Sequence, residues 1–99
     1  MITVVAKLKA AEGKEGELRA VLEEMVGNVK VHEAGKVPTY SLHTADADPR
    51  LFLFYEQYAN AEAVAEHGTT DHMKAMGGKL RGLLDGRPEI ERYTEIAGV

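Results

Sequence analysis

Ninety-nine residues, 44% hydrophobic and 28% charged, suffice for one core, since single cores usually span ~100–150 residues. Twelve basic against sixteen acidic residues leave a net charge of −4. The Lys and Arg residues are scattered, which excludes the basic stripe of a nucleic-acid binder. The lack of any cysteine excludes disulfides, iron–sulfur clusters and thiolate zinc sites.

Met1-Ile2-Thr3-Val4-Val5-Ala6-Lys7 begins as a strand, without the basic region and small-residue cleavage site of a leader. No apolar run approaches the ~18 residues of a membrane span. The expectation is a soluble, cytoplasmic protein that makes no contact with membranes. Ile2, Val4, Ala6 and Leu8 alternate with Thr3, Val5, Lys7 and Lys9, the period of a strand with one apolar face. After the turn at Gly13 and Gly16, Leu18, Val21, Leu22, Met25, Val26 and Val29 form one stripe of an amphipathic helix. Gly35 and Pro38 close that region.

A second strand is expected at Tyr40–Thr44, a turn at Asp46–Pro49, and the strongest strand at Arg50–Tyr58, which is rich in aromatics. Asn60 is a plausible N-cap for a short helix over Ala61–His67. Thr69-Thr70-Asp71 supplies capping chemistry for another, with Met73, Met76, Leu80, Leu83 and Leu84 as its buried stripe. Gly77-Gly78 inside that helix calls for close packing or a bend, since each Gly costs roughly 1 kcal/mol relative to Ala. Asp85–Pro88 is a turn and Ile90–Ile96 a last strand. The order is β-α-β-β-α-β with the second helix split. This is an α+β, ferredoxin-like arrangement in one domain over residues 1–99, an antiparallel sheet with its helices on one face.

The third strand is apolar on both sides, with Leu51, Leu53 and Tyr55 on one and Phe52, Phe54 and Tyr58 on the other. Helices on one face leave the other as an exposed apolar patch, which monomers rarely tolerate. A homodimer packed through its sheet faces is therefore expected.

Few residues can carry chemistry. His67 and His72 flank the helix break, where side chains and free N–H groups converge, and His is the natural base near neutral pH. Their i, i+5 spacing does not stack two imidazoles as a metal pair at i, i+4 would. Glu56 sits within the most apolar strand, on the side of Phe54 and Tyr58, and needs a partner there. His43 and His32 are expected at the surface. Phosphate loops, dinucleotide fingerprints, nucleophile elbows and zinc-protease helices are absent from the sequence, so neither a cofactor nor a metal is expected.

Three stretches carry a resemblance: Phe54-Tyr55-Glu56-Gln57-Tyr58, Asn60-Ala61-Glu62-Ala63-Val64, and His67-Gly68-Thr69-Thr70-Asp71-His72-Met73-Lys74-Ala75. With Glu33-Ala34-Gly35 leading to Tyr40, they make the chain similar to the antibiotic biosynthesis monooxygenase domain family. Its nearest branches are the quinol monooxygenases and the isomerases of phosphorylated autoinducer-2. The haem-degrading branch fits poorly, because the chain has no Trp and carries Lys7 where that branch has Asn.

The resemblance implies a dimeric α+β barrel and a pocket lined by His67, His72, Glu56 and Tyr40, with Phe54, Tyr58 and Met76 as walls. It also implies a cofactor-independent monooxygenase acting on a small aromatic diol, of hydroquinone or anthrone type, with O2. In that scheme His67 or His72 is the base, Glu56 orients it and Tyr40 binds the substrate oxygen. The alternatives are an isomerase of a phosphorylated ketone, gripped by Lys74, Lys79 and Arg81, and a dimer that binds a small molecule without turnover.

Overall fold

The computed structural model describes residues 1–99 and has the expected order. It runs β1 (Ile2–Lys9), α1 (Glu15–His32), β2 (Thr39–Ala45), β3 (Asp48–Tyr58), α2 (Ala61–Thr69), α3 (Asp71–Lys79) and β4 (Glu89–Thr94). The four strands form one antiparallel sheet in the order β2-β3-β1-β4, and the fold is the α+β ferredoxin-like one. No helix is long and apolar enough to cross a membrane.

Strand register decides which side chains meet the helices. Val4, Ala6 and Leu8 of β1 lie beside Glu56, Phe54 and Phe52 of β3, and Tyr40 and Leu42 of β2 continue two of those rows. Phe52, Phe54, Leu18 and Leu22 are among the most deeply buried side chains of the core, where burying each such group contributes ~1.5–3 kcal/mol. The buried stripe of α1 is Leu18, Leu22, Met25 and Val29. Val21 and Val26 pack at its margin. No helix covers the opposite face of the sheet, where Val5, Leu51 and Leu53 are half-buried and Tyr55 is exposed. The C-terminal segment reaches its edge, Gln57 Nε2 donating to Glu95 Oε1 at 3.0 Å.

Several boundaries differ from expectation for local reasons. β3 begins at Asp48 and takes in Pro49, because the β2–β3 hairpin closes on the pair Ala45–Asp48 beyond a bulge. α3 ends at Lys79, so Leu83 and Leu84 lie beyond the helix. Leu83 reaches the core from the following turn, and Leu84 bridges Ala10. Gly77 and Gly78 have nothing within 4 Å of where a Cβ would stand. They therefore serve no close packing, and their low helix propensity sits just before the helix stops. β4 ends at Thr94, short of Ile96.

Candidate active site

The junction between α2 and α3 is built by one residue. Thr70 is extended (φ −65°, ψ 151°), which ends α2, and its Oγ1 accepts the Met73 N–H at 3.3 Å, which caps α3. The same hydroxyl donates to the His67 carbonyl at 3.1 Å. His67 is thereby held in the last turn of α2 and His72 in the first turn of α3, both turned toward the end of α1.

Glu33 waits there. It is the C-cap of α1, its N–H bonded to the Val29 carbonyl at 2.9 Å. Its own carbonyl accepts from Lys36 N and Val37 N, at 3.2 and 3.3 Å, in a turn that needs the left-handed Gly35 (φ +84°). This winding aims the Glu33 side chain inward, where the residue is 5% exposed. Both carboxyl oxygens lie 3.0 Å from His67 Nδ1, and Oε2 lies 2.8 Å from His72 Nε2. A carboxylate offers only acceptors, so the contacting nitrogens carry the hydrogens. His67 then has Nε2 left as its free nitrogen. That atom has no hydrogen-bond partner in the protein and is not fully enclosed.

His67 borders a mostly apolar cavity of about 350 Å³ between the sheet and the helix junction. Tyr40 and Tyr58 flank the imidazole, with ring centroids 5.3 and 5.5 Å away. Phe54 packs on Tyr40 at 4.8 Å. Glu56 opens into the same cavity and accepts from the Tyr58 hydroxyl at 2.5 Å. Burial pushes the Glu56 carboxyl up to about 7, with the Glu33 charge adding to the rise and the Tyr58 hydrogen bond opposing it. Burial, with the Glu56 and Glu33 charges, drives the Tyr40 and Tyr58 hydroxyls well above their ordinary range, so both remain donors.

The cavity gathers five of the expected residues: His67, Glu56, Tyr40, Phe54 and Tyr58. His72 is separate, reaching the cavity only through Glu33, and its ring stacks on exposed His32 at 5.2 Å. Met76 is buried in the core, and Met73 and Leu80 border the cavity where it was expected. Glu56 does not orient the histidine; Tyr58 is its partner and Glu33 holds the imidazole. Lys74, Lys79 and Arg81 all lie off the cavity, and Lys79 pairs with Glu24 at 2.8 Å. His43 is exposed, as expected.

Residues 1–78 match the sequence model of the antibiotic biosynthesis monooxygenase family. No curated protein matches the chain. Among solved structures, a candidate antibiotic biosynthesis monooxygenase of Caulobacter crescentus is 31% identical with a TM-score of 0.90, over 97% of this chain and 90% of that one. A Pseudomonas aeruginosa protein is 25% identical with a TM-score of 0.88, over 97% and 94%. A Mycobacterium tuberculosis protein shares the fold at 18% identity and a TM-score of 0.88, over 98% and 96%.

Proposed function

We propose that this chain, which belongs to the antibiotic biosynthesis monooxygenase family, is a cytoplasmic, cofactor-independent monooxygenase that oxidises a small aromatic diol or anthrone with O2. The observation that carries the reading is His67, which lines an apolar cavity and is gripped at Nδ1 by a buried carboxylate, leaving Nε2 without a protein partner. A carboxylate so placed fixes the tautomer and stabilises the imidazolium once the ring has taken a proton.

In this scheme His67 Nε2 takes the hydroxyl proton, or the methylene proton of an anthrone. The resulting phenolate or carbanion passes one electron to O2, and the two radicals combine into a peroxide at carbon. Glu56, held near neutrality, hands a proton to the outer peroxide oxygen. The His67 imidazolium gives that oxygen a second proton, so it leaves as water, while the carbon that bore the peroxide loses its hydrogen to the Glu56 carboxylate and keeps the inner oxygen as the quinone carbonyl. The substrate supplies all four electrons. Tyr40 donates to the substrate oxygen, and the apolar walls keep water from the peroxide. The test is oxygen uptake by purified protein with a panel of hydroquinones and anthrones. Substrate-dependent uptake without added cofactor, lost in His67→Ala, is the expected result. Uptake no faster than the spontaneous rate would refute it.

The working unit in this proposal is a homodimer packed through the uncovered sheet face. Val5, Leu51, Leu53 and Tyr55 form an apolar patch there that a second copy would hide. Leu53→Glu is expected to halve the mass measured by light scattering, and an unchanged mass would place the contact elsewhere.

A further inference from the structure

Arg92 of β4 borders the cavity and has no counter-charge. The protein's Lys and Arg ion pairs engage Lys9, Lys14, Arg19, Lys36, Arg50 and Lys79 and leave Arg92 free. It is the only Lys or Arg among the cavity's lining residues. Register gives it a defined place. Arg92 pairs with Val4, Val4 with Glu56, and Glu56 with Tyr40, so all four share one row across the sheet on the helix-facing side.

Two inter-strand steps separate Arg92 from Glu56, ~9–10 Å between their backbones. The row thus runs from a cation at the rim, over apolar Val4, to the acid and hydroxyl beside His67. A guanidinium offers its N–H groups as a planar fork that fits two carboxylate oxygens, and it is less heavily hydrated than an ammonium.

We infer that the cavity selects an aromatic acid: a ring lying over Val4 with a carboxylate on Arg92 and a hydroxyl at His67. This deepens the oxygenase reading and rests on its cavity, though not on its redox chemistry. A phosphate dianion is the poorer match. It would call for more than one cation, and Arg92 is the only Lys or Arg on the cavity.

Calorimetric titration of the full chain with 4-hydroxybenzoate, phenol and phenyl phosphate tests this apart from turnover. The expected result is at least tenfold tighter binding of 4-hydroxybenzoate than of phenol. Arg92→Gln should bring that ratio near one, Arg92→Lys should keep part of it, and Arg92→Glu should favour 4-hydroxybenzylamine instead. An equal affinity for phenol and the acid, a ratio that survives Arg92→Gln, or a preference for phenyl phosphate would each overturn the inference. Oxygen uptake decides the other question independently. Uptake without the acid preference leaves the oxygenase and removes the acid site, and the preference without uptake does the reverse.

Discussion

Two buried glutamates serve the same cavity under opposite conditions. Glu33 stands at the end of a helix and receives the ring nitrogens of two histidines. Glu56 stands inside a strand among aromatics and receives one tyrosine hydroxyl. Each is 5% exposed, so burial alone does not separate them. Partners do. Glu33 faces groups able to share a positive charge, and its negative charge is felt by Glu56, Tyr40 and Tyr58. Glu56 has only a neutral donor, and its carboxyl is displaced to about 7. The Glu33 site therefore positions two imidazoles, while the Glu56 site suits a proton that comes and goes.

The largest effect should come from breaking the Glu33 side. Glu33→Ala leaves the His67 Nδ1–H without an acceptor and the His72 Nε2–H with only Thr70 Oγ1, 3.3 Å away. It is expected to lower turnover by ~10²–10⁴-fold, the range of a lost general base, and stability by about 3 kcal/mol. Steady-state oxygen uptake and urea unfolding measure the two. Full turnover in this variant would detach Glu33 from the chemistry.

The Glu56 side should break differently, through pH. Its folded value lies above the ordinary 4.5, so the ionised form is disfavoured in the folded chain. Stability from this group is complete below about 4.5 and is lost as pH rises toward about 7, up to about 3 kcal/mol at 1.36 kcal/mol per unit. Urea unfolding of Glu56→Gln at pH 5 and pH 8 should show that part of the slope removed, and an unaltered slope would contradict it. Tyr58→Phe sharpens the point with a smaller change. Losing the hydroxyl that favours the ionised form should move the Glu56 midpoint further up in carbon-13 spectra. A fall would mean that the hydrogen bond favours the acid instead. Smallest of all, Glu12→Ala in the exposed turn between β1 and α1 should change stability by less than ~0.5 kcal/mol and leave uptake as it was.

Much of this arrangement is legible in the sequence, because it follows from short-range pattern. The alternation in Ile2–Lys9 and the two-sided apolar character of Leu51–Tyr58 give the strands and their faces, and Thr70 announces the break by its capping chemistry. The role of Glu33 cannot be read that way. Its partners lie 34 and 39 residues away, and no periodicity links a helix C-cap to a distant helix junction. The Glu-x-Gly segment was its one signal, carried by family resemblance, with Gly35 marking the turn. Met76 and Met73 illustrate a finer limit. They sit three apart on one helix face, and which of them meets the cavity depends on how α3 lies on the sheet.

β4 pairs with one neighbour only, along Ile2–Lys7, and all six of its residues are exposed. The wall that carries Arg92 is thus an edge of the sheet, paired at six positions against seven for the other edge strand, β2, while β1 and β3 are each paired on both sides. Amide protons of Glu89–Thr94 should exchange with deuterium before those of β1 and β3. Fraying of that outer strand offers a route into the cavity that leaves the helices and their clasp on His67 at rest. The residue proposed to choose the ligand would then ride on the segment that admits it, so guest selection and guest entry would share a timescale.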